Sequence, residues 1–173
     1  MNNLAESGSV MSEPGASEYE CRFENVVDLP RARAFQLVVD YPELWWTSPF
    51  RDSRGQSLDA GIDPFVGGAC YQIDGKGTRQ VWGTVLSIEA PLYLRIAWQV
   101  SQDGQQIADP SAASRVMISF RDSGERTRVE VVHNKFLRHG ENGGDYMQEL
   151  MTPEGWPRVL ANVSRAAVKM PRV

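Results

Sequence analysis

Near the end of the chain, Trp156, Val159, Leu160, Val163, Ala167 and Met170 recur at the spacing of one helix face, while Arg158, Asn162, Arg165 and Lys169 fall on other faces. The pattern predicts a final helix within 152–173. Thr152 suits its N-cap, Pro153 its first position, and Pro157 lies one turn in, where a missing N–H costs little. A helix of about 16 residues spans roughly 24 Å and needs an apolar surface of that length.

The preceding chain supplies strands. From Glu18 to Val27 the sequence alternates, with Tyr19, Cys21 and Phe23 on one face and Glu20, Arg22 and Glu24 on the other. At Asp28-Leu29-Pro30 the period changes to that of a helix running to about Asp40, with Ala34, Phe35, Leu37 and Val38 on its apolar side. A short second helix is expected over Pro42 to Trp46. Thr47 to Pro64, with Gly55, Gly61, Pro49 and Pro64, reads as a long loop. Five strands follow: Gly67 to Asp74, Thr78 to Ile88, Tyr93 to Ser101, Ser114 to Arg121 and Thr127 to Phe136. In the first of these the facing of Tyr71 is ambiguous, because Cys70 and Gln72 have the parity expected of the inward pair. Leu137 to Met151 leads to the final helix. The order is strand, two helices, five strands and a long helix. This is an α+β arrangement in which an antiparallel sheet must cover its apolar face with the last helix.

The chain is long enough for one domain with a substantial core, assigned to 18–173. Residues 1–17 are polar, rich in Ser, Gly, Glu and Asn, and read as a disordered tail, with Met11 a second candidate start. The net charge of −4 and the lack of a clustered Lys/Arg face argue against nucleic-acid binding. No apolar run suggests membrane insertion and no signal peptide is visible, so a cytoplasmic location follows by default. Cys21 and Cys70 lack CxxC spacing and read as reduced core residues.

Four segments resemble one family. Asp28-Leu29-Pro30-Arg31-Ala32-Arg33-Ala34-Phe35 is similar to its strand-to-helix entry. Pro42-Glu43-Leu44-Trp45-Trp46 resembles its second helix, and Val66-Gly67-Gly68 the opening of its second strand. Thr127 to Phe136, with Glu154-Gly155-Trp156-Pro157 to Leu160, resembles its last strand and final helix. On these segments the chain is identified as a member of the START-like, or SRPBCC, superfamily, closest to the group related to the activator of the heat shock protein 90 ATPase. The resemblance covers roughly Tyr19 to Val168. It implies a helix-grip fold: a curved antiparallel sheet of about six strands around a long C-terminal helix, two short helices after the first strand, and an apolar cavity between sheet and helix. Members serve unrelated ends, so the fold alone does not fix function.

Candidate chemistry is sparse. Gly75-Lys76-Gly77-Thr78-Arg79-Gln80 begins like a dinucleotide fingerprint but ends in Gln and sits in a hairpin. No metal or cofactor is implied; His139, Glu141 and Asp145 lie among glycines and read as a flexible loop. His133 shares a face with Val129 and Val131. It is read either as a hydrogen-bonded core residue or as an acid–base group, with no adjacent nucleophile evident. Trp46, Trp82, Trp98, Phe120, His133, Trp156 and Leu160 are the candidate ligand-binding set, the alternative being that they fill the core. Trp98 has inward parity, Trp82 is ambiguous, and Trp45 and Trp46 belong at the mouth, where they could serve as part of a lid.

Three functions are compatible with these residues. The preferred one is a small-molecule binding protein for an apolar, aromatic or lipid-like ligand. The others are a chaperone-ATPase-regulator-like module for a protein partner and a cyclase- or hydrolase-like enzyme using His133. A homodimer is left open, and catalysis is left undecided with the balance against it. A cavity of roughly 300 Å³ or more separates ligand binding from the filled core of a partner-binding module.

Overall fold

The computed structural model describes residues 19–171, and the expectation of a tail over 1–17 lies outside them. Strand β1 (Cys21–Val27) is followed by helix α1 (Arg31–Asp40), a 3-10 turn at Pro42–Leu44 and β2 (Asp59–Ile62). Then come β3 (Ala69–Ile73), β4 (Arg79–Glu89), β5 (Tyr93–Trp98), β6 (Ser114–Ser123) and β7 (Arg126–Asn134). Helices α2 (Gly143–Leu150) and α3 (Trp156–Lys169) close the order. The strands form one antiparallel sheet in the order β1-β7-β6-β5-β4-β3-β2. It is the helix-grip α+β architecture.

The sheet has seven strands rather than about six. The additional one, β2, lies in the stretch expected to be all loop. Asp59-Ala60-Gly61-Ile62 is too short and too small in side chain to show alternation, but pairs with β3 from Asp59↔Ile73 to Ile62↔Cys70. Gly61 stands opposite Tyr71, whose ring occupies the space a Cβ there would need; Arg79 lies 3.8 Å from that ring's centroid. Tyr71 therefore turns away from the core, and Cys70 and Gln72 are the buried pair.

The final helix starts later than its sequence suggests. Gly155 is the N-cap, Pro157 occupies the first turn, and Thr152 instead bonds the Glu149 carbonyl at the end of α2. Trp156, Leu160, Val163, Ala166 and Ala167 of α3 are buried against the sheet. Each large apolar side chain contributes about 1.5–3 kcal/mol by leaving water. Asn25 of β1 ties this helix down, donating Nδ2 to Ser164 Oγ at 2.6 Å. Helix α1 packs beside it, and Phe35 meets Phe120 of β6 edge-on, centroids 5.3 Å apart. Both cysteines are buried free thiols, and burial pushes Cys21 up to about 12.

Candidate ligand cleft

Two register shifts shape the inner face. Between Cys70↔Gly83 and Tyr71↔Val81, strand β4 holds an extra residue, Trp82, and another shift follows between Val85 and Ser87. A bulge breaks alternation and re-aims a side chain. Trp82 is thereby buried on the inner face, stacked on Trp46 with centroids 3.9 Å apart. Trp98 of β5 lies 6.0 Å from Trp46 and 5.4 Å from Trp156 at the start of α3. Trp46, Trp82, Trp98 and Trp156, from four separate stretches of the chain, thus form one cluster.

Every indole N–H in the cluster but one is satisfied inside the protein. Trp46 Nε1 donates to Gln72 Oε1 at 2.8 Å, Trp98 Nε1 to the Tyr146 hydroxyl at 2.8 Å, and Trp156 Nε1 to His133 Nδ1 at 3.0 Å. The Tyr146 hydroxyl in turn donates to the Val100 carbonyl at 2.6 Å, and burial raises its pKa. Trp82 Nε1 is buried without a partner among the described residues.

Trp46, Trp98, Val100, Tyr146, Trp156 and Val159 line a cleft of about 430 Å³. Arg54, Glu149, Glu154 and Arg158 also border it and supply charge of both signs. The 47–57 loop covers one side. It is held as a hairpin by the Thr47↔Ser57 bridge and by Ser48 N–H donating to Gln56 O at 3.0 Å. Its tip is tied to the 101–105 turn by Arg51 N–H donating to Gly104 O at 2.9 Å.

Of the seven residues singled out in the sequence, the cleft brings together Trp46, Trp98 and Trp156. Trp82 stacks behind Trp46, Leu160 is buried under α3, and Phe120 belongs to the α1 side of the core. Trp45, expected beside Trp46 in a lid, is itself buried and donates its indole N–H to the Val38 carbonyl at 3.3 Å.

His133 is fully buried and has both ring nitrogens engaged. An indole N–H only donates, so Nδ1 accepts from Trp156 and the neutral ring carries its proton on Nε2. That proton goes to Ser114 Oγ, 2.7 Å away, and the serine hydroxyl then donates to His139 Nε2 at 2.6 Å. His139 Nε2 also accepts from the Ser114 backbone N–H at 3.3 Å. The remaining proton sits on His139 Nδ1, buried without a partner among the described residues. Burial and then the neighbouring His139 push the pKa of His133 well below 6.5; burial lowers that of His139 to about 4.

The sequence reading missed this chain. Ser114 is a hydroxyl beside His133 where no adjacent nucleophile was evident, and His139 is packed into the fold rather than lying in a flexible loop. The available signal was parity: Ser114, Val116, Ile118 and Phe120 share a face, and Val116 pairs with His133. Ser114 is itself fully buried and, like both histidines, does not line the cleft.

The model of the family described as Activator of Hsp90 ATPase homolog 1-like protein (AHSA1) matches residues 28–167. The chain belongs to this AHSA1 family. Among solved structures, it is similar to an anthrahydroquino-γ-pyrone synthase, Txn09, solved in complex with SUM. The identity is 29%, with 85% of this chain and 96% of that one covered and a TM-score of 0.59. It is also similar to CalC, a self-sacrificing resistance protein from Micromonospora echinospora. That match has 26% identity, covers 87% of this chain and 94% of that one, and has a TM-score of 0.58. Protein NE0264 from Nitrosomonas europaea shares the fold at 14% identity, with 87% and 94% covered and a TM-score of 0.61. None of the curated proteins compared matches the chain. Among the described residues, no helix is long and apolar enough to cross a membrane.

Proposed function

We propose that this AHSA1-family chain binds a planar, largely apolar small molecule in the cleft, holding it by shape and aromatic contact. The carrying observation is the cleft itself, about 430 Å³ and walled by Trp46, Trp98 and Trp156. That volume falls within the roughly 300–1,000 Å³ of small-molecule pockets. The N–H groups of those indoles are already spent on Gln72, Tyr146 and His133, and each residue is only 3–4% exposed, so the wall offers a ligand a narrow strip of apolar ring surface. Polar recognition falls to Arg54, Glu149, Glu154 and Arg158. The similarity to Txn09, whose name specifies a fused aromatic product, supports a polycyclic aromatic ligand over a flexible lipid.

The catalytic reading through His133 receives less support, because neither ring nitrogen is open to a ligand. Intrinsic fluorescence tests the proposal. Titration with fatty acids, sterols and aromatic polyketides should give a saturable shift with the aromatic class. Trp98→Phe and Trp156→Phe should each remove part of it. A protein that responds to none of these ligands would lose the small-molecule reading in favour of a protein partner.

A further inference from the structure

A second cleft, also of about 430 Å³, adjoins the first beside the 47–57 loop. It meets the first at Trp46, Thr47, Gly55 and Arg158, which line both. Its helical wall carries Arg158, Asn162, Arg165 and Lys169, spaced as one stripe along α3. Asn162 fastens that wall to the floor by donating Nδ2 to the Trp45 carbonyl at 3.1 Å. Leu44, 50% exposed, and the partly exposed Met170 supply apolar surface beside the stripe.

The charge here runs against that of the whole chain, which is −4. Among the described residues, Glu43 is the one acidic residue lining it, against the three cations Arg158, Arg165 and Lys169. Arg165 and Lys169 are exposed, and neither has a carboxylate at ion-pair distance among the described residues. Arg158, at the junction, pairs with Glu154 at 3.4 Å, but that carboxylate is 81% exposed, so the pair holds the guanidinium weakly.

We propose that the two clefts form one trench for an apolar molecule carrying an acidic tail. Its body lies against Trp46, Trp98 and Trp156, and its anion lies between Arg165 and Lys169. This rests on the reading of the first cleft as a ligand site and adds the chemical class of the ligand. Arg165 is about 10 Å along the helix from Arg158, so the tail must be several carbons long. Arg158 follows the tail across the junction.

The test uses 1-pyrenedodecanoic acid and its methyl ester, which share a body and differ in charge. Each is titrated into the full chain and read by energy transfer from the indoles to pyrene. At low salt the acid should bind about fivefold more tightly than the ester, the scale of two exposed ion pairs. That ratio should fall toward one in about 0.5 M salt, and also in an Arg165→Gln, Lys169→Gln double variant whose melting temperature confirms that it is folded. Equal binding of acid and ester by the wild type, or a preference that survives both salt and the double substitution, would overturn the trench and leave the first cleft standing. Absence of saturable transfer with either probe in the wild type would overturn both readings.

Discussion

The indole of Trp156 donates to Nδ1 of His133 at 3.0 Å, so one residue both walls the cleft and closes the histidine off from it. The position of α3 therefore fixes the tautomer of a strand residue. Protonating His133 would bring a second N–H against the indole N–H, and burial already opposes the charge.

His133→Ala should consequently cost stability. Trp156 Nε1 loses its only acceptor, at about 1–3 kcal/mol for a buried donor left unpaired, whereas Ser114 Oγ loses one donor but keeps its bond to His139 Nε2. Denaturant unfolding measures the loss. Ligand affinity measured where the variant remains folded should change little, since His133 does not line the cleft. A variant of wild-type stability that loses a turnover reaction would instead make His133 catalytic.

The stability of the chain should also depend on pH. His139 is held down to about 4 in the folded protein, by burial, against 6.5 for the free side chain. Between those values the unfolded chain binds more protons, so stability rises with pH through the window. It is fully present above about 6.5 and is lost as pH falls toward 4. His139 is only partly buried, so solvent screening reduces the effect to about 1–2 kcal/mol. The difference in unfolding free energy between wild type and His139→Gln, followed from pH 7 to 4, isolates this contribution from the carboxylates. A difference that stays flat across the window would show that His139 titrates normally.

Much of the fold was legible because burial imposes period. The α3 stripe, the α1 face and the alternation of β6 and β7 each reflect one buried side. Trp82 was not legible, because a bulge residue has no parity to read. Strand β2 was hidden by its glycine and its four-residue length. At the site, parity placed Trp98 inward. The clustering of Trp46 with it depends on the tight turn at Pro42–Leu44, closed by Trp46 N–H donating to the Pro42 carbonyl, which no periodicity encodes.

Gly155→Ala should be among the more damaging small substitutions. A Cβ at Gly155 would lie 2.1 Å from the Leu150 carbonyl oxygen, a backbone atom that cannot step aside without moving α2. The turn between α2 and α3 would have to open, displacing Trp156 from His133 and from the cleft. Overpacking of this kind costs about 1–3 kcal/mol. Thermal melting should show the loss, and near-ultraviolet circular dichroism should show a changed indole environment. An unchanged spectrum would mean that the junction yields without moving Trp156.

The stacked pair Trp46 and Trp82 permits a comparison in which ring size cancels. Both indoles are buried, with centroids 3.9 Å apart, but only Trp46 has a partner for its N–H, Gln72 Oε1 at 2.8 Å. Trp46→Phe strands that buried amide oxygen, whose other end donates to Gln80 Oε1 at 2.8 Å and so cannot turn round to find a donor without breaking that bond. Trp82→Phe removes an N–H that has no partner among the described residues, so its loss of packing is partly offset. Trp46→Phe should therefore destabilise the protein by about 1–2 kcal/mol more than Trp82→Phe. The same order should hold for ligand affinity, because Trp46 lines the cleft and Trp82 only backs it. Equal costs in urea unfolding would imply that Trp82 Nε1 has a bound water as its partner. Equal losses of affinity would imply that the ligand reaches past Trp46 into the stack.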